Sequence, residues 1–482
     1  MSSLRDKTIK GVIWSAVERF ASQGVEFIFG ILIARLLLPE DYGVIAMLNI
    51  FLAISRTFID SGFETALIRK ADRTDTDFQT VFYFNIIVSV VCYIILWIAS
   101  PFIAEFYETP LLESVTKVVA LNLIFNALAG IQSAKLSINI DFKSRANVSL
   151  IHACVSGAVG LWLAFKGYGV WALVAQSLSA AAVRTITLWV IVRWKPRFEF
   201  SKTSFKELFS FGSKLLAAGL LNTIYNNIYS IVIGKFYSPS SLGVYSKANT
   251  LSQFPSSNVT GVFQSVLFPV LSSIQDDEQR MLDIYKRFLR MSSFVVFPLM
   301  VGLAAVADPL IRLLLTDKWE GSIYLLQILC FSTIWAPVIA VNTNVLKVMG
   351  RSDYFLKVEI VKKIIGVVIL CVTIPMGLVP MCYGTVVATM LSVYCDTYYT
   401  KKLIGYGLLS QLKDLLPLLL HSLIMGAIVL SVESCMSTET VKLLVGVATG
   451  IIYYILGAVL MNFKELEELL SIMRKKNNRN VV

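Results

Sequence analysis

Residues 33–44 read IARLLLPEDYGV, and residues 233–244 read IGKFYSPSSLGV. Ile33, Pro39, Gly43 and Val44 recur as Ile233, Pro239, Gly243 and Val244, and Arg35 is answered by Lys235, all at one gap-free shift. A match of this kind points to an internal duplication, which governs how the rest of the chain is read. In each copy the proline is expected to stop one helix, and the glycine after it to let the next begin close by, making a helical hairpin. A weaker echo follows, ASPFI at 99–103 and ADPLI at 307–311.

The surroundings of both hairpins are apolar. The chain has 482 residues, 56% hydrophobic and 16% charged, where a soluble protein carries about 25% charged residues. That excludes a soluble globular enzyme, a disordered chain, collagen and a small disulfide scaffold. The fold class is an all-α polytopic membrane protein. One crossing takes about 20 mostly apolar residues, and fourteen stretches qualify, at 11–38, 42–68, 78–104, 114–138, 146–165, 168–192, 208–235, 242–271, 288–315, 322–348, 355–374, 379–400, 412–432 and 440–461. The first carries Glu18, Arg19 and Glu26, so it is not read as a cleavable signal peptide.

Lys and Arg collect in alternate loops, which puts both termini in the cytoplasm and the two Pro–Gly hairpins outside. The net charge of +11 follows from this asymmetry and from attraction to anionic headgroups, so no nucleic-acid partner is implied. An even number of spans separates the hairpins. The halves then share one topology, two six-helix lobes in a parallel repeat about an axis along the membrane normal. The lobes are 1–200 and 201–403, joined by the basic linker RWKPRFEFSKTSFKE (193–207). Residues 404–482 add two helices and a basic tail, whose segment NFKELEELLSIMRKK (462–476) either lies on the inner membrane surface or is disordered.

Ionised side chains inside a bilayer cost about 2.5 to 3.5 kcal/mol each, so they face a wet cavity or a partner. In the first span Ser15, Arg19, Ser22 and Glu26 share a stripe, opposite an apolar face. The second span repeats this with Asn49, Arg56 and Asp60, with Glu64 nearby. In the second half Lys214, Asn222, Tyr225 and Tyr229 share one side of the seventh span, and Lys247 and Asn258 lie together on the eighth; Arg184 lies in the sixth. For Arg56 and the acids, helix-fixing ion pairs and a transport role stand equally. Lys214 and Lys247 have no acid at helical spacing, which favours a cationic cavity. Lys362, Lys363 and Arg312 are read as snorkelling to headgroups and left out of the site. The expected substrate-binding set is Arg19, Arg56, Arg184, Lys214, Asn222, Lys247 and Asn258, and the candidates for ion coupling are Glu26, Asp60 and Asp396. A cavity richer in cations suits an anionic substrate, phosphate above all.

No catalytic set accompanies these charges. His152 and His421 are isolated in different spans, with no metal-type ligand at helical spacing. The seven cysteines are scattered, which is not a disulfide framework, although Cys382 and Cys435 lie near the same face and are a candidate pair. There is no phosphate-cradling GxxxxGK[ST]. The expectation is a protein that is not an enzyme and needs no cofactor or metal.

The stretches IARLLLPEDYGVIAM (33–47), DSGFETALIRK (60–70), YSPSSLGVYSKANTL (237–251), FPVLSSIQDDEQRM (268–281) and ADPLIRLLLTDKWEGSIYLLQIL (307–329) resemble the signatures of the Wzx-type polysaccharide flippases, in the WzxC/TuaB-like branch of the MATE/MOP superfamily. The resemblance covers nearly the whole chain to about residue 400 and weakens in the last two helices. It implies two six-helix lobes forming a V, working by alternating access in the bacterial inner membrane. It also implies an undecaprenyl-diphosphate-linked oligosaccharide as substrate, carried to the periplasmic leaflet for O-antigen, capsule or exopolysaccharide assembly. Coupling to H⁺ or Na⁺ and association with a polysaccharide polymerase and glycosyltransferases go with that role. The segment RTFIDSGF (56–63) is similar to the second-helix motif of the related lipid II flippases, which implies a cavity role for Arg56. The last two helices resemble the extra pair of those relatives, which implies a groove for the polyprenyl tail. Two other readings stay open at this point: a drug or small-cation exporter of the same superfamily, and a non-transporting scaffold for polysaccharide assembly.

Overall fold

The computed structural model describes residues 21–60, 62–70, 72–139, 141–275, 277–469 and 471, and excludes the side chains of Phe211 and Lys214. Among these residues every regular element is a helix. The chain divides into two compact units after Gly243. The first holds α1 (21–36), α2 (Pro39–Asp60), α3 (Phe63–Arg69), α4 (Asp75–Phe106), α5 (Leu111–Val119), α6 (Leu121–Ile138), α7 (Phe142–Phe165), α8 (Val170–Val192), α9 (Lys202–Phe236) and the start of α10 (Pro239–Ser272). The second holds the rest of α10, then α11 (Glu278–Ala305), α12 (Ala307–Leu315), α13 (Gly321–Thr333), α14 (Ala336–Val348), α15 (Ser352–Thr373), α16 (Leu378–Ile404), α17 (Leu408–Glu433) and α18 (Glu439–Leu460).

Eleven helical stretches among the described residues are long and apolar enough to cross a membrane, and each answers one of the expected crossings. The other three expected crossings differ for physical reasons. The first begins outside the described residues. The stretch 242–271 is helical in α10, but Ser, Asn, Gln and two internal prolines make it too polar to qualify. The stretch 355–374 is helical in α15, where Lys357, Glu359, Lys362 and Lys363 crowd one half. Several crossings are also broken where a single rod was expected. Gly62 with φ +70° separates α2 from α3, and Val306 separates α11 from α12.

The hairpins correct the expected role of proline. Pro39 and Pro239 open α2 and α10 rather than closing the helices before them. Proline suits a first helical position because its missing N–H is an orphan there anyway. The glycines serve contact: a Cβ added to Gly43 would collide with the Pro239 carbonyl, and one added to Gly243 with the Pro39 carbonyl. The two copies of the repeat therefore touch reciprocally, backbone on backbone, inside the first unit.

From that clasp α9 follows α2 closely. Gly234 packs against Met47 and Tyr107, Gly219 against Thr57, and Gly62 against Leu215 and the Cα of Gly212. The Thr57 and Thr223 hydroxyls lie 3.1 Å apart across the same seam. Small residues and buried hydroxyl pairs are how helices associate where lipid removes the hydrophobic drive. At the seam's far end Phe63, Leu67, Phe82, Ile131 and Leu208 form a common core of α3, α4, α6 and α9. There Lys70 Nζ bonds Glu207 at 2.9 Å and Asp77 at 3.2 Å. The Glu207 hydrogen bond leads the effects that hold the Lys70 ammonium above the ordinary lysine range. A capping box of Thr74 and Asp77 starts α4 beside it.

Gly62 is the hinge of this end, since a side chain in the left-handed region costs about 1–2 kcal/mol. Gly62→Ala is expected to lower stability by at least that amount, because the new methyl also meets Leu215. Thermal unfolding of the purified protein in detergent, against wild type, checks it.

In the second unit Phe463 packs against the rings of Phe294 and His421. The helical turn 464–469 is pinned by Glu465 to Arg290 and by Glu468 to Arg287. The described start of the tail is thus docked on α11. Cys382 is buried and Cys435 exposed, both as free thiols, so the candidate disulfide is absent.

Candidate functional site

The charged residues of the first unit converge from four elements. Arg56 and Asp60 lie one turn apart on α2, exposed to the space beside the helix bundle. The bend at Gly62 brings Glu64 onto the first turn of α3. Arg184 projects from α8, half-buried, and its Nη2 donates to Ser133 Oγ of α6 at 3.2 Å. It lies within electrostatic range of Glu64, Arg145, Asp60 and Arg56. Glu64 in turn faces Asp60, Arg184 and Arg145, and His152 faces Arg184. Three guanidiniums thus share a neighbourhood with two carboxylates and an imidazole. Guanidinium forks match carboxylate and phosphate oxygens two at a time, so a cluster with an excess of arginine is equipped to hold a diphosphate.

The structure brings Arg56, Asp60 and Arg184 together as part of this cluster. Asn222 is exposed on α9, near the Thr57–Thr223 seam, and Glu26 is exposed on α1. Arg19 and the side chain of Lys214 lie outside the described residues. Arg145 is absent from the expected set. Its signal was available: Arg145 and His152 are two turns apart on α7 and share a face.

The expected residues of the second unit do not gather in one place. Lys247 is half-buried, with its ammonium 5.7 Å from the centre of the Trp319 ring. Asn258 is 8% exposed and donates to the Phe254 carbonyl one turn back at 2.8 Å, so it serves α10 itself. Asp396 is buried on α16 and paired with Lys362 of α15. Lys362 therefore does not reach for headgroups as expected.

Two apolar cavities lie away from these charges. One of about 590 Å³ is enclosed by α11, α13, α16 and α17, with Val301, Phe331, Met390 and Leu423 in its walls. At its mouth the Tyr324 and Tyr383 hydroxyls are 2.6 Å apart. The other, about 570 Å³, lies in the first unit between Phe125, Leu128, Ile186 and Trp189.

The family described as polysaccharide biosynthesis protein matches residues 32–324 of the chain. Over 355 residues the chain is 23% identical to the teichuronic acid biosynthesis protein TuaB of Bacillus subtilis, covering 73% of this chain and 74% of that one. Two solved structures share its fold. The lipid II flippase MurJ, in an inward closed conformation, superposes with a TM-score of 0.76 at 14% identity, covering 93% of this chain and 99% of that chain. An inward-facing multidrug resistance MATE family transporter of the MOP superfamily follows with a TM-score of 0.62 at 13% identity, covering 82% and 98%. The MATE/MOP fold and the Wzx-type resemblance read from the sequence are borne out. With a family match over more than half its length and an all-helical membrane fold among its described residues, the chain belongs to the polysaccharide biosynthesis protein family.

Proposed function

We propose that the protein is a flippase for undecaprenyl-diphosphate-linked oligosaccharide units, moving them from the cytoplasmic to the periplasmic leaflet of the bacterial inner membrane by alternating access. The observation that carries this reading is the cluster of Arg56, Arg145 and Arg184 around Asp60 and Glu64 within helices long enough to span a bilayer. In such a place an unmatched guanidinium is costly, and an anionic headgroup offsets that cost. The two acids leave one net positive charge among the five groups, which suits a ligand that arrives with its own negative charge and leaves again. Family membership and the names of the relatives support the same class of cargo.

The finer parts of the proposal follow from this role. The lobes are 1–200 and 201–403, with 404–482 as an added pair of helices and a tail, and both termini are cytoplasmic, as the positive-inside pattern supports. The 590 Å³ cavity, with α17 as one wall, is a place for the polyprenyl chain. Transport draws on an ion gradient rather than on chemistry performed by this chain, so the protein is not an enzyme. A polymerase and glycosyltransferases act before and after it.

Mass spectrometry of lipid extracts tests the proposal. A strain depleted of the protein is expected to accumulate a complete undecaprenyl-diphosphate oligosaccharide, which the intact gene clears and Arg56→Ala does not. If no such lipid accumulates while the polymer pathway is active, the cargo is wrong and the exporter reading takes its place.

A further inference from the structure

The buried ion pair of the second unit is not used by the proposed cargo site. Lys362 Nζ lies 3.2 and 3.3 Å from the two carboxylate oxygens of Asp396 and 2.6 Å from Glu359 Oε1. The Asp396 side chain is 1% exposed and that of Lys362 11%, within helices α16 and α15. A lysine ammonium has three N–H donors and accepts nothing. Here three carboxylate oxygens from two acids surround it, so its hydrogen-bonding capacity is spent where it sits.

That geometry is a cation place already filled. Two carboxylates converging from neighbouring helices in a buried place need a positive charge between them, and an ion drawn from solution is one way to supply it. Here the charge arrives on a side chain four methylenes long that cannot leave. Cys395 adjoins Asp396 on α16, and Tyr285 of α11 faces it. The Tyr285 hydroxyl donates to Asn342 Oδ1 at 2.9 Å, and Asn342 Nδ2 donates to Gln411 Oε1 at 3.0 Å. These are fully buried neutral partners on α11, α14 and α17, linked beyond to Tyr406 and its partner Asp414.

We propose that Lys362 is a tethered cation occupying a monovalent-cation site made by Asp396 and Glu359, so that this unit takes up no Na⁺ and exchanges only protons, at Asp396. The inference deepens the ion-coupled transport reading and names its ion. Protonating Asp396 removes the charge that holds Lys362 and frees the contact between α15 and α16. Of the groups facing Asp396, Glu359 shares the same lysine, while Tyr285 and Cys395 are neutral partners.

The test needs no cargo, so its failure is distinct from failure of the flippase reading. Melting temperatures of the purified protein are compared in NaCl and in choline chloride at equal ionic strength. Wild type is expected to show no Na⁺-specific shift. Lys362→Ala, and Lys362→Gln as the bulkier variant should alanine fail to fold, are expected to melt lower in choline and to recover part of the loss in Na⁺. Asp396→Asn on the same background should abolish that recovery. A saturable Na⁺ stabilisation of wild type that Asp396→Asn removes would overturn the proposal, as would Lys362 variants that fold and ignore Na⁺. A second readout follows the difference in melting temperature between wild type and Asp396→Asn against pH. A carboxylate that binds its proton differently in the folded and unfolded states makes stability depend on pH, so the difference should change with pH. A difference that does not change with pH sinks the proton assignment.

Discussion

Arg184→Ala is expected to weaken binding of undecaprenyl diphosphate about 30-fold, the equivalent of about 2 kcal/mol for losing charge-assisted hydrogen bonds to an anion. Arg184 is the residue to choose because it faces all four other charges of the cluster. Its bond to Ser133 Oγ shows that α6 fixes the direction of the guanidinium. Arg184→Lys should recover only part of the loss, because an ammonium keeps the charge but not the planar fork. Glu64→Gln should act in the opposite sense and tighten binding several-fold, since one of the two carboxylates competing for the arginines is gone. Native mass spectrometry of the protein with the lipid diphosphate, with melting temperatures as a control on folding, distinguishes these cases. Unchanged affinity in a well-folded Arg184→Ala would place the diphosphate elsewhere.

The second large effect is expected at the clasp. Gly43→Ala and Gly243→Ala should each destabilise the protein by about 1–3 kcal/mol, the usual range for overpacking, and toward the upper end because the obstacle is backbone. In both cases the new methyl group runs into a proline carbonyl of the other hairpin, and a carbonyl held in a helix start cannot rotate away as a side-chain tip does. The two substitutions open the same contact, so the double variant should lose less than the sum of the single losses. Gly24→Ala is the control: it lies in α1 with nothing among the described residues within 4 Å of its new methyl, and alanine is the better helix former by about 1 kcal/mol. Thermal unfolding of the four variants in one detergent checks the set. Additive losses at Gly43 and Gly243 would mean that they serve separate contacts.

The clasp also shows how far the repeat was legible. The recurrence of Pro39 and Gly43 as Pro239 and Gly243 identified two equivalent hairpins correctly, because proline and glycine make the most particular demands on the backbone. Why glycine is needed was not legible. Spacing suggested a turn, whereas the constraint is a contact between segments 200 residues apart, and no local pattern reports such a contact. The charged site divides in the same way. Arg56 and Asp60 could be read as a stripe because one helix carries both. Arg145 joins them only because α7 packs on α8, which lies beside α2, and Lys362 meets Asp396 only because α15 lies against α16.

Composition and hydrophobic run length by themselves determined that this chain is an all-helical membrane protein, since burying a backbone in lipid leaves few alternatives to the helix. The repeat and the family signatures lay in the sequence as well, being properties of order along the chain. The tertiary structure alone decided which charges are partners. An ion pair such as that of Lys362 with Asp396, and a charge neighbourhood such as that of Arg184 and Glu64, are set by distance in space between residues of different helices. It also decided where the rods break, at Gly62 and Val306, because an apolar run states that a segment is buried and says nothing of the direction it must take to meet its neighbours.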